Sequence, residues 1–234
     1  MPIEFMTLPP QPLARRNARV SHLYAMAVGD SLTNGNGDTQ AVNDGGWRKS
    51  LGAWMLTAPL GCTIDLLGPN DNGFPNGKHD GVSGVTCQYH IDNLPGLLTG
   101  SASATQFILL MIGTNDCLFQ ANVISTALSQ QAAVLATIRT TKPGIPVLMS
   151  TLTDSSDAGF HANIVGVNAG MPAMVAAENA LGGKVTLWDG FSAVGSYATN
   201  PGAYYDGLHF TAGGGYSLYY AAIKNQVYNQ ITLF

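Results

Sequence analysis

Charge is what this 234-residue chain has least of: Asp, Glu, Lys and Arg together make up 10% of it, against a quarter in an ordinary soluble domain. Its surface must therefore be polar through Asn, Thr, Ser, Gln and Gly. The net charge of −4 is mild, and the only basic cluster is Arg15, Arg16 and Arg19, so the chain has no electrostatic footprint for nucleic acid. No apolar run is long enough to span a bilayer. Cysteine is also scarce. Cys62, Cys87 and Cys117 are odd in number and lack metal spacing, which excludes a disulfide framework. Two readings stay open: one pair, Cys62 with Cys87, plus a free thiol, or three small buried thiols. The first residues carry no basic stretch leading into an apolar one, so no signal peptide is read there and no compartment follows.

Hydrophobic residues are plentiful at 46%, enough for a full core in one domain. Met1–Phe5, ahead of a second methionine at Met6, read as an expression remnant. Pro9, Pro10 and Pro12 make residues 1–20 an extended arm, leaving 21–234 as the domain.

Within that domain, strand-like and helix-like segments alternate. Strands are expected at Tyr24–Val28, Cys62–Leu67, Gln106–Ile112, Pro146–Thr151 and Lys184–Trp188. Helices are expected at Gly45–Leu56, Thr86–Leu98 (interrupted near Pro95), Ala121–Thr141, Phe160–Leu181 and Ala212–Gln230. This alternation implies a three-layer α/β/α domain built on a five-stranded parallel sheet. Ligands of such sheets bind beyond the carboxyl ends of the strands.

The residues at those ends share one chemistry. Ser31 follows the first strand in Gly29-Asp30-Ser31-Leu32, and Ser83-Gly84 follows the second. Gly113-Thr114-Asn115-Asp116 follows the third, while Asp206-Gly207-Leu208-His209 precedes the last helix. A serine hydroxyl is a weak nucleophile until a base takes its proton. His209 is the natural base, and Asp206 three residues earlier can fix its tautomer. Candidate donors for a tetrahedral oxyanion are the Ser31 and Gly84 amides and the Asn115 side chain. Asp30 and Asp116 are read as turn-holding residues. Arg48 is read as a packing or ion-pair residue. Tyr204 and Tyr205, just ahead of Asp206, are the aromatic candidates for contact with substrate.

No G-x-S-x-G elbow occurs in the chain. With four blocks in order, Gly29–Leu32, Ser83–Thr86, Gly113–Asp116 and Asp206–His209, the sequence instead resembles the GDSL/SGNH hydrolases. That resemblance implies a flavodoxin-like fold and ester hydrolysis through an acyl-serine. It makes Ser31 the nucleophile, Asp206 and His209 its triad partners, and Ser31, Gly84 and Asn115 the oxyanion hole. The segments "DGGWRKSL", "IDLLGPNDN", "HDGVSGVT" and "NLPGLLTGSASATQFILLMIGTNDC" are similar to carbohydrate acetyl esterases of the acetylxylan-esterase type, including the pair Trp47-Arg48. The departure is His79-Asp80-Gly81-Val82, where such relatives often carry Glu-Gly-His or the like.

The expectation is thus a serine esterase for short, acetyl esters, with a small ester or an acetylated carbohydrate as partner and no nucleic acid. The alternatives are a broader carboxylesterase, lipase or thioesterase, and a non-catalytic carbohydrate-binding module on the same scaffold. No cofactor or metal is expected. His79, Asp80, His90 and Asp92 fit no standard metal spacing and read as loop polarity, while the Asp71–Asp80 loop leaves weak calcium binding open.

Overall fold

The computed structural model describes residues 22–37, 45–57, 62–119 and 123–231. The arm expected over residues 1–20 lies outside the described residues. In chain order the elements are β1 (His22–Gly29), α1 (Ser31–Asn34), α2 (Gly46–Leu56), β2 (Thr63–Leu67), β3 (Asn70–Asp71), β4 (Lys78–Gly81), α3 (Cys87–Thr99), β5 (Phe107–Met111), α4 (Thr114–Phe119), α5 (Val123–Thr141), β6 (Val147–Ser150), α6 (Ala158–Ala180), β7 (Val185–Trp188), α7 (Gly190–Val194) and α8 (Gly215–Ile231).

The five expected strands form the parallel body of the sheet in the order β2-β1-β5-β6-β7. β1 alternates strictly. Leu23, Ala25 and Ala27 face a core layer made with α2 and α8, while Met26 and Val28 face the layer made with α3, α5 and α6. Such two-sided burial is why β1 and β5 read as unbroken apolar runs. The sheet has seven strands rather than five, because an antiparallel hairpin, β3–β4, joins it.

The hairpin divides one edge of β1. β2 pairs with His22–Met26, and β4 takes over at Val28 and Gly29. The chain leaves β2 at Gly68, where a Cβ would come within 2.2 Å of the His79 backbone. Asn76 fastens the hairpin tip by donating to Ile64 O (2.8 Å) and Gly52 O (3.3 Å). In this way the segment leading to Ser83-Gly84 is laid directly beside the end of β1.

Two helices run through residues that disfavour helix. α3 is continuous across Pro95 rather than interrupted, because buried Leu94 and Leu98 anchor it on both sides. α6 contains Gly166, Gly170 and Pro172. A Cβ at Gly166 would meet Ile124 Cδ1 at 2.3 Å, and one at Gly170 would meet Leu128 Cδ1 at 2.4 Å. These glycines therefore admit the side chains of α5.

The three cysteines are free. A Cys62–Cys87 bridge is excluded by topology: Cys62 packs in the core layer on one face of the sheet, Cys87 and Cys117 in the layer on the other.

Candidate active site

Ser31 opens the four-residue helix α1 directly at the end of β1. Asp30 is the N-cap, and its Oδ1 accepts from Leu32 N at 3.0 Å. The helix closes at Gly35, whose φ of 90° is the left-handed conformation glycine adopts freely and whose N–H returns to Ser31 O. Gly29 admits no side chain, since a Cβ would sit 2.1 Å from Met111 O on β5. Tight packing of two strands at the switch of strand order thus sets the exit direction of Ser31.

Ser31 Oγ lies 2.8 Å from His209 Nε2, although 178 residues separate them. His209 Nδ1 lies 2.8 Å from Asp206 Oδ2. The second oxygen of Asp206 accepts from the His209 amide at 2.8 Å and from the Leu208 amide at 3.0 Å. Burial pushes the Asp206 carboxyl up, but these bonds from the His209 ring and the two amides outweigh it and hold it below the usual carboxylate range. Asp206 is therefore ionised at neutral pH, the state that orients an imidazole.

The other two blocks converge on the same sheet edge. Val82 N donates to Gly29 O at 3.0 Å. Asn34 Nδ2 donates to Ser83 Oγ at 2.9 Å, and Ser83 Oγ donates to Asn36 Oδ1 at 3.1 Å. Gly84 follows with φ 77°, and a Cβ there would meet nothing within 4 Å, so its backbone borders open space. Asn115, in the first turn of α4, reaches across to donate from Nδ2 to Val85 O at 2.8 Å. Its side chain is thus turned toward Gly84 rather than folded back on its own turn, and Nδ2 keeps a second N–H.

Asp30 and Asp116 hold backbone, as expected. Asp116 Oδ2 accepts from Cys87 N at 3.0 Å, at the start of α3. Burial raises both carboxyls above their ordinary range; Thr114 and the Leu32 amide oppose this at Asp30, and Cys87 opposes it at Asp116. The aromatic pair divides. Tyr204 is buried, its hydroxyl donating to Gly195 O at 2.6 Å, whereas Tyr205 is 54% exposed beside Asp206.

His79, Asp80 and His90 are not the solvated loop residues that their spacing suggests: all three are buried. His90 Nδ1 lies 3.1 Å from Asp80 Oδ2, and its Nε2 lies 3.1 Å from Gly29 O, so the pair supports the backbone just before Ser31. In the Asp71–Asp80 loop, Asp71 Oδ1 accepts from Gly73 N, and Asp80 is paired with His90. Among the described residues no group of three His, Cys, Asp or Glu side chains converges as a metal site.

Arg48 is more than a packing residue. Wholly buried, it donates to Thr33 O, to Asn34 O (3.0 Å), to Gly77 O (3.2 Å) and to Asn72 Oδ1. It ties the last carbonyls of α1 to the β3–β4 hairpin, the favourable place for a cation at a helix C-terminus. The sequence signalled a Trp-Arg pair, but not that its target was the serine helix.

Solved structures with this fold include an acetyl esterase mutant with an acetate ion, at 19% identity and a TM-score of 0.72, covering 90% of this chain and 98% of that one. A family 3 carbohydrate esterase from Clostridium thermocellum matches at 22% identity and a TM-score of 0.72, covering 91% and 98%. One from Talaromyces cellulolyticus matches at 20% and 0.72, covering 91% and 99%. A comparison with curated proteins returned no match. The model of the GDSL-like lipase/acylhydrolase family matches residues 27–215, which span all four blocks. The chain therefore belongs to the GDSL-like lipase/acylhydrolase family and is a carboxylic ester hydrolase.

Proposed function

We propose that this esterase removes short acyl groups, acetyl above all, from a carbohydrate such as xylan, with Ser31, His209 and Asp206 as catalytic triad. The observation that carries the reading is the unbroken relay of two 2.8 Å contacts from Ser31 Oγ through His209 to Asp206. Ser31 Oγ attacks the ester carbonyl while its proton passes to His209 Nε2. Asp206 keeps Nδ1–H bonded and balances the imidazolium charge. The oxyanion is met by the Ser31 and Gly84 amides and by the second N–H of Asn115. As the tetrahedral intermediate collapses, His209 returns the proton to the leaving alcohol. Water, deprotonated by the same imidazole, then releases the acid from the acyl-serine.

The acetyl and carbohydrate parts of the reading draw support from the similar solved proteins, which are named as an acetyl esterase and as carbohydrate esterases. They agree with the Trp47-Arg48 and Leu94-Pro95-Gly96-Leu97-Leu98 segments of the sequence. The test is hydrolysis of p-nitrophenyl esters by wild type and by Ser31→Ala, followed by acetylated xylan. Activity that falls steeply beyond acetate and vanishes in Ser31→Ala is expected. An equally active mutant would remove the nucleophile, and a preference for long acyl chains would replace the acetyl reading with a lipase.

A further inference from the structure

Another carboxylate–imidazole pair lies near the triad turn. The loop after β6 carries Asp154, which is 1% exposed and has both oxygens engaged. Oδ1 lies 2.5 Å from His161 Nδ1, and Oδ2 accepts from Tyr197 N at 2.8 Å. His161 sits in the first turns of α6 with its side chain 43% exposed, and its Nε2 has no partner among the described residues. Burying a carboxylate is costly unless its oxygens are bonded. Here one of the two fixes the direction of a solvent-facing ring, the way a binding group is preorganised.

The surroundings of that ring are mixed in character. Phe191 packs against His161 with ring centroids 6.4 Å apart. Beyond Phe191 a groove of about 400 Å³ runs between α6 and α7, where Val165 and Leu187 lie beside Thr151, Asp189 and Ser192. Burial pushes the Asp189 carboxyl up, but bonds from Ser192, Thr151 and the Phe191 amide prevail and keep it ionised. A pyranose presents an apolar C–H face and a rim of hydroxyls, matching an aromatic ring flanked by an oriented imidazole and a carboxylate. A long acyl chain would use neither polar group.

The groove and the triad turn are linked through the loop after β6, whose Thr151 lines the groove. Ser156 N donates to Gly207 O at 2.7 Å, between Asp206 and His209. Ser156 is two residues from Asp154, a span of at most about 7 Å. We propose that His161, together with Phe191, is a specificity-determining contact for the alcohol side of the ester, a carbohydrate chain running from Ser31 into the α6–α7 groove. This rests on the esterase reading above.

The experiment compares wild type, His161→Ala, Phe191→Ala and His161→Gln on acetylated xylo-oligosaccharides and on p-nitrophenyl acetate, which has no chain to reach the groove. The readout is the ratio of kcat/KM for the two substrates, with thermal melting to confirm folding. Both alanine variants should lower that ratio about five- to tenfold, mainly through KM, as loss of one hydrogen bond or ring contact does. His161→Gln, which restores a polar tip, should recover part of it. A ratio that stays at the wild-type value in both alanine variants overturns the proposal. So does a wild type that cleaves p-nitrophenyl acetate but no acetylated oligosaccharide, an outcome that leaves ester hydrolysis standing. A wild type that cleaves neither overturns the esterase reading, and this proposal with it.

Discussion

Asp206→Asn separates the orienting role of this residue from its structural one. Asp206 accepts three hydrogen bonds, two of them from the His209 and Leu208 amides onto a single oxygen. Asparagine keeps an oxygen for those amides but presents an NH₂ where the imidazole Nδ1–H must be accepted. The ring then takes the other tautomer, with the proton on Nε2, and donates to Ser31 Oγ instead of accepting from it. Turnover should fall by roughly 10³–10⁴, or about 4–5.5 kcal/mol of transition-state stabilisation at 1.36 kcal/mol per tenfold. Folding should scarcely change, because both backbone bonds persist and the Asp206 side chain is 45% exposed. Asp206→Ala should lose as much rate and, in addition, about 1–2 kcal/mol of stability for the two amides left without an acceptor. The assay is steady-state hydrolysis of p-nitrophenyl acetate beside a thermal melt. An Asn variant within tenfold of wild-type kcat would refute the relay as the source of nucleophilicity.

Asn115→Ala should lower kcat by about a hundred- to a thousand-fold with a melting shift of only a few degrees; an unchanged kcat would remove Asn115 from the oxyanion hole. Gly29→Ala should destabilise by about 3 kcal/mol or more, since the new methyl meets Met111 O at 2.1 Å and Thr33 Oγ1 at 2.3 Å; a melting temperature within about 3 °C of wild type would contradict that packing. His79 is held down to about 3 by burial and by the Arg48 charge. Its unfolded form takes up a proton near pH 6.5 and its folded form does not, so its contribution to stability is complete above that pH and is lost as pH falls toward about 3. Urea titrations from pH 7 to 4 should therefore show a slope up to about 1.4 kcal/mol per pH unit smaller in His79→Asn, whose Oδ1 can accept the Gly81 N–H that His79 Nδ1 now takes; equal slopes would refute the assignment.

The sequence was most legible where local pattern and tertiary demand agree. The runs around Ala25 and Leu109 are buried on both faces and read as strands directly. The four blocks were legible because each carries a residue type with one obvious chemistry, three of them just after a strand and the fourth in the turn before α8. The β3–β4 hairpin was not legible: its residues, Asn70, Asp71 and Lys78–Gly81, have little intrinsic strand preference and pair only because β1 offers an edge beyond β2. α1 and α4 are too short to show a period. Pro95 was overestimated as a breaker, because burial of Leu94 and Leu98 outweighs one lost backbone bond. Asp154 and His161 carried no signal at all, since neither belongs to a block and their meeting depends on how the loop after β6 turns into α6.

The span between Ser31 and His209 also has a temporal side. Their contact joins the end of β1 to the turn before α8, so it exists only once that turn has docked on the sheet. A chain lacking the residues from Asp206 onward would carry the serine but no base. Any state with the sheet assembled and that turn undocked would be equally inert. Hydrolysis of a chromogenic ester therefore reports completed folding of the whole chain, and its recovery during refolding should trail every signal that follows secondary structure alone.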